Sequence, residues 1–326
     1  MNHTKILLLA VTISSATFVF SQKNVISILN DRFYMRFPDS AKNMSRSTNI
    51  MSAGPNATQE TRVVYDEGDK RMVFFAQELN IKGVPNLETA LKKESDKDYP
   101  LTVRKIFDKD SVQVILMTPL KIEINEEAIF INSLIIKNAD NTLSKLSVFL
   151  NPKAYASKKD FEKIAAMAFA SFTKGVRRID LSARTVSFNP METKTIFLLK
   201  LPKDYTVTRD ESHDFEVYKI KKVEAYGLST RGDLIIYFGY HPSLFEHVLK
   251  LEKFKTADTE HEFMFHKLKW FNYNDKSRAL VVREGLFVDD DISKDLQIHI
   301  GMISDSQGRI DEMTSIVKDI LFKYDK

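Results

Sequence analysis

Six of the seven histidines in this 326-residue chain lie beyond residue 210: His213, His241, His247, His261, His266 and His299. The stretch DLIIYFGYHPSLFEHVLK, residues 233–250, carries an apolar, strand-like run to Gly239. It then sets His241 and His247 around a proline-started helix. HEFMFH follows with His261, Glu262 and His266. Imidazoles and carboxylates are the ligands of zinc hydrolases, where three or four of them meet the metal at about 2.0–2.2 Å. The spacing here is not the usual one. His241 and His247 are six residues apart, with His241 ahead of the helix, and HEFMFH separates its histidines by five rather than the four of HExxH. On a single strand Glu262 and His266 share a face and His261 takes the other. The set that the spacing allows is His241, Glu262 and His266, a candidate metal or ligand site set against ordinary surface histidines.

Other chemistry finds less material. No G-x-S-x-G elbow frames a serine, and no Walker A or G-x-G-x-x-G run exists among ten glycines. The acidic runs YDEGD and FVDDDISKD offer carboxylates for calcium, but neither has the spacing of an EF-hand loop; hairpin turns with solvated charges explain them equally. Tyr237, Tyr240 and Trp270 form either a recognition surface or core positions of alternating strands. The chain has no cysteine, which removes disulfides, iron–sulfur clusters, thiolate zinc and cysteine nucleophiles together. No cofactor is expected.

The elements that would position these residues occur twice. RFYMRFPDS and KTIFLLKLPKDY are strands that stop at Pro38 and Pro202. Each leads into a hairpin, the first turning at Asp66-Glu67-Gly68-Asp69 and the second at Ser229 to Gly232, where Gly and Asp tolerate positive φ. VPNLETALKK and HPSLFEHVLK then read as short helices begun by Pro85 and Pro242. Aligning the prolines sets His241 against Val84 and His247 against Ala90, so the architecture does not need these histidines. Several strands follow, and each copy closes with a helix. Residues 157–175 carry the stripe Phe161, Ile164, Ala165, Ala168 and Phe172, with Ser157 and Asp160 spaced as a capping box and Gly175 as the stop. The second helix repeats the design with Ile310, Met313, Ile316, Val317, Ile320 and Leu321. Ile179 to Phe188 reads as the last strand of the first copy, and residues 39–60 as a long loop.

Composition sets the outer bounds. Hydrophobic residues at 43% and charged residues at 28% describe an ordinary globular chain, and +4 net charge from interleaved lysines and acids gives no basic face for nucleic acid. MNHTKILLLAVTISSATFVFSQ has the charged start, apolar middle and small residues of a secretory signal peptide, cleaved between Ser21 and Gln22. Its apolar run is shorter than the roughly 20 residues of a membrane span, so no transmembrane anchor is expected.

The proline-ended strands FYMRFP and FLLKLP, with LQIHIGMI and IDEMTSIVKDIL at the end, resemble the PsbP-like fold shared with the Ran-binding Mog protein. The resemblance spans nearly the whole mature chain as two tandem modules. The repeated order of elements itself gives an α+β class, each domain an antiparallel sheet with helices packed on it, and the resemblance implies a binding or assembly role, because the better-known members are adaptors. The expected organisation is a signal peptide at 1–21, a first domain at 22–189 and a second at 190–326. The expected function is an exported, periplasmic or extracellular, non-catalytic protein of the cell envelope, binding a protein or a small ligand. The alternatives are a metal-dependent hydrolase using the second-domain His/Glu set, and a small-ligand or lipid carrier.

Overall fold

The computed structural model of the chain describes residues 25–38, 44–49, 57–83, 87, 103–109, 112–117, 120–124, 127–190, 195–211, 214–225, 228, 232–263, 266–288 and 296–324. Ser21 and Gln22 therefore lie outside the described residues, as do most of the Pro85 helix and the Ser229 to Gly232 turn.

The described residues begin with the hairpin β1 (Val25–Ile28) and β2 (Phe33–Arg36). The first large sheet then takes β3 (Met44–Asn49), β4 (Ala57–Glu67), β5 (Lys70–Lys82), β6 (Val103–Lys109), β7 (Val112–Met117), β8 (Leu120–Ile124), β9 (Glu127–Lys137) and β10 (Thr142–Leu150). Its order is β3-β4-β5-β10-β9-β7-β6, with β8 also on β9. Helix α1 (Lys158–Ser171) and the short β11 (Thr173–Lys174) finish this half, β11 pairing with β2.

The second half repeats the plan. A hairpin of β12 (Arg184–Phe188) and β13 (Thr195–Leu201) precedes β14 (Tyr205–Glu211), β15 (Phe215–Lys222), the two-residue β16 (Glu224–Ala225) and β17 (Gly232–Gly239). The one-turn helix α2 (Phe245–Val248) leads to β18 (Thr259–Phe263), β19 (His266–Asp275), β20 (Leu280–Val288) and β21 (Gln297–Ser304). Helix α3 (Gln307–Lys318) and β22 (Leu321–Tyr324) close the chain, β22 pairing with β13. The second large sheet runs β14-β15-β17-β21-β20-β19-β18. Numbered within each copy, both sheets have the order one-two-three-seven-six-five-four, with every in-line pair antiparallel. The duplicated order of elements is thus present in the backbone.

The α+β expectation is overturned. Among the described residues 22 strands stand against three α-helices, two of them longer than one turn, so the molecule is predominantly antiparallel β. Two sequence features hid this. The polar stretch MSRSTN, inside the expected 39–60 loop, is β3; it lies at the edge of its sheet, where no apolar alternation is required. The Pro242 helix shrinks to one turn because Lys250 adopts a left-handed φ of 55° just beyond it.

Each long helix is sandwiched between its small sheet and its large one. The α1 stripe is as expected: Phe161, Ala165, Ala168 and Phe172 pack with Phe33, Met35 and Phe74 in the first core, Ile164 lying partly buried. In the second core Ile310, Met313, Ile316, Val317 and Ile320 meet Leu234, Ile236, Phe238, Ile298 and Ile300. Leu321 falls outside that stripe, exposed at the start of β22. Ser157 does not cap α1 with its side chain; its hydroxyl accepts from Lys70 Nζ at 2.8 Å. The helix stops at Ser171, four residues before Gly175, because β11 turns away to pair with Tyr34 and Phe33. The strand expected to end the first copy, β12, is hydrogen-bonded to β13 and so belongs to the second.

Gly175 has a different task. Its N–H donates to Arg32 O at 2.9 Å, and a Cβ there would lie 1.9 Å from the Asp31 carbonyl oxygen. Gly175→Ala is expected to destabilise the chain by about 1–3 kcal/mol, because backbone rather than a pliable side chain must yield. Urea unfolding compared with the parent measures it.

Candidate functional site

Among the described residues several clusters of buried ionisable side chains occur, and three of them tie separate elements together. The first is built on Arg32, which follows the turn between β1 and β2. Leu29, Asn30 and Asp31 in that turn all have left-handed φ values, 53°, 50° and 65°, a conformation costing roughly 1–2 kcal/mol per residue. The turn holds because its groups are bonded. The Leu29 N–H donates to Thr61 Oγ1 at 2.9 Å, the Asp31 N–H to Ser27 Oγ at 2.8 Å, and the Arg177 N–H to Asp31 O at 3.1 Å. Arg32, only 3% exposed, then enters the sheet. Its Nη2 donates to Asp140 Oδ1 at 3.0 Å and to the Thr142 hydroxyl, and Nη1 also pairs with Asp140. Its Nε lies 3.0 Å from Glu78 Oε1, off the N–H axis, so this is a charge contact rather than a hydrogen bond. Ser144 donates to Glu78 at 2.9 Å, and Arg177 Nη1 lies 3.7 Å from it. The Ile179 N–H reaches Asp140 at 3.0 Å.

The two carboxylates respond differently. Burial would push Asp140 up, but the bonds from Arg32 and Thr142, the Arg32 charge and the Ile179 N–H hold it down at about 2. Burial pushes Glu78 up and outweighs Arg32, Arg177 and the Ser144 hydroxyl. Every partner in this group is a strand, a turn or the linker that leaves the first copy, so the arrangement fixes the chain.

The second place is in the second copy. Glu284 on β20 and His299 on β21 are buried, 1% and 2% exposed. His299 Nε2 lies 2.9 Å from Glu284 Oε2. The same carboxylate accepts from the Phe245 N–H at 2.6 Å and the Glu246 N–H at 2.9 Å, at the start of α2. The third place surrounds Arg309 of α3. Nη1 donates to Glu312 at 2.6 Å and to the Tyr205 hydroxyl at 3.3 Å, and Nη2 pairs with Glu224 on β16. Lys222 Nζ donates to Glu312 at 2.8 Å. Burial raises Tyr205 and Glu224, whereas Lys222 and Arg309 hold Glu312 down against its burial. Glu224 in turn belongs to the strand that joins the copies: β16 lies parallel beside Ile81 and Lys82 of β5, and Lys82 pairs with Asp204.

The sequence candidates take other positions. His241 is exposed in the loop after β17, its N–H 3.4 Å from the Tyr237 hydroxyl. HEFMFH is not one strand: Phe263 pairs with His266 and Glu262 with Lys267, placing Glu262 on β18 and His266 on β19. Those strands lie four and three places from β17 in the sheet, or about 19 Å and about 14 Å at ~4.8 Å per strand. The side chains of Glu262 and His266 lie outside the described residues. Among the described residues no three His, Asp, Glu or Cys side chains are grouped as a metal ion requires. His247 is exposed between Glu246 at 3.5 Å and Glu252 at 3.2 Å. Trp270 is 1% exposed in the second core, so Tyr237, Tyr240 and Trp270 do not form one exposed surface.

The sequence reading passed over Arg32, Glu78, Asp140, Glu284 and Arg309. One signal existed for Glu78, which shares the buried phase of β5 with Met72, Phe74 and Ala76, where a carboxylate needs a cation. The cation is 46 residues away in sequence, and no local period points to it.

Two outcomes follow for the Arg32 group. Arg32→Met is expected to cost about 3–5 kcal/mol in urea unfolding, since two carboxylates lose their main partner. Asp140 has a folded pKa of about 2 against an ordinary 3.8. Its contribution is therefore present above pH 4 and is lost as pH falls toward 2, about 2 kcal/mol in all. Glu78, raised rather than lowered, contributes with the opposite sign. Asp140→Asn should thus be less stable than the parent at pH 7, with the gap closing near pH 2 in paired denaturation curves.

Among the described residues no helix is long and apolar enough to cross a membrane, a statement that does not bear on strands. No protein-family model and no curated protein matches this chain. It is similar to a solved structure of MucB in complex with MucA(peri), at 8% identity over 85% of this chain and 87% of that one, with a TM-score of 0.18. A likeness of that size carries no argument about fold or activity.

Proposed function

We propose that the mature chain is an exported, non-catalytic binding or assembly protein of the cell envelope, in which two copies of one β-rich module are presented as a fixed pair. The observation that supports this is where two clusters of buried ionisable groups are committed. Arg32, Glu78 and Asp140 hold the N-terminal turn and the linker, while Arg309 and Glu224 hold the strand that crosses between copies. A scaffold with this many backbone-fixing ion pairs presents surfaces in a defined relation. A distant kinship of both copies with PsbP-like modules belongs to the same proposal and rests on the proline-ended strands β2 and β13.

The test is made on the full chain expressed in a gram-negative host. The expected result is a protein in the envelope fraction that starts at Gln22, carries no stoichiometric metal, and gives a reproducible cross-linked partner from an exposed site such as Lys163 on α1. Retention in the cytoplasm with residues 1–21 intact overturns the export reading. Stoichiometric zinc that disappears in a His241→Ala, His266→Ala double variant overturns the non-catalytic reading in favour of the hydrolase.

A further inference from the structure

The two copies differ at one row of their large sheets. In the first, Ser147 is the third residue before the end of β10; it faces Ser133 on β9, and the two hydroxyls bond each other at 2.8 Å. The corresponding row of the second copy, three residues before the end of β21, pairs Gly301 with Glu284. In place of a self-satisfied pair this row has a buried carboxylate that needs donors, beside a glycine that leaves space. The chain from Tyr240 to Lys255 fills both needs. The ring of Phe245 lies on Gly301, where a Cβ would come within 2.2 Å of it, and stands edge-on to His299 with centroids 5.2 Å apart. The Phe245 and Glu246 N–H groups bond Glu284, and Tyr273 donates to Glu246. Arg278 Nη2 donates to Leu249 O at 3.0 Å, and Lys255 bridges to Tyr273.

The attachment of this segment is shallow otherwise. Leu251 is fully buried against Tyr273 and Val282, whereas Phe245, Leu249 and Phe254 are only partly buried. A one-turn helix cannot hold itself together. The main core, with α3 on it, lies on the opposite face of the sheet and does not use these side chains.

We infer that residues 240–255 are a releasable strap, clamped by Glu284 and Gly301, which opens as a unit while the sheet beneath stays folded. Opening uncovers the His299–Glu284 pair together with Tyr273, Val282, Leu280 and Ile303, a mainly apolar face around a polar centre. The inference does not depend on the export reading.

Hydrogen exchange on the purified chain tests it. The amides of Phe245, Glu246, Leu249 and Leu251 should exchange together, about tenfold or more faster than those of Ile236 and Ile300 in the sheet. Glu284→Gln, which sets an amide against one of the strap N–H groups, and Phe245→Ala should each speed the strap amides about tenfold further. Trypsin nicking at Lys250 and Lys253 should accelerate in parallel, with the sheet amides and the buried Trp270 fluorescence unchanged. Strap amides in the parent chain that exchange only as fast as those of Ile236 and Ile300 overturn the inference. Variants that accelerate strap and sheet alike overturn it too.

Discussion

A buried guanidinium has to find carboxylates, and the way Arg32 finds them organises the first half of the molecule. Glu78 comes from the middle of the large sheet and Asp140 from the turn between β9 and β10. To reach both, Arg32 must leave the β1–β2 turn in one direction, and a turn of three left-handed residues provides it. Asp140 also accepts from Ile179, so the charge that anchors the N-terminal hairpin anchors the linker as well. Desolvating these charges is costly; bonds from Arg32, Thr142 and Ile179 to Asp140 offset it, whereas Arg32 Nε and Glu78 Oε1 meet only as charges.

From that anchor the relation between the copies follows by short steps. The linker continues to Leu181, whose carbonyl accepts from Asp204, and Asp204 returns across the joint to Lys82. Beside it β16 adds a parallel strand to the end of β5, held from its own side by Glu224 and Arg309. Among the described residues the joint contains backbone pairing and ion pairs, which give orientation more than affinity.

The two copies share an order of elements and differ in what covers their sheets. The same strand order and the same closing helix recur, yet a Ser–Ser pair in one sheet is Glu–Gly in the other, and the chain above that row is rearranged to match. His299 illustrates how composition misleads. Its neighbours Ile298 and Ile300 face the core, it faces the strap, and its partner Glu284 is supplied by the next strand. The histidines that attracted attention by spacing, His241 and His247, are surface groups.

Much of the architecture was legible because it rests on local rules. Alternating apolar residues marked β5, β10 and β13, the 3.6-residue stripe marked α1 and α3, and the repeated order of these elements marked the duplication. The sequence by itself determined a cysteine-free, two-copy, sheet-forming chain whose long helices each bury one stripe. It did not determine the β3 edge strand, the side of the joint to which β12 belongs, or the hairpin inside HEFMFH. Each of these depends on which strand lies alongside, and pairing between distant segments leaves no period in the chain. The ion clusters were decided in the same way. Arg32 meets Glu78 and Asp140, and Glu284 meets His299 and the α2 backbone, only after the sheets have closed, because burial makes these charges seek each other and tertiary contact alone selects the partner.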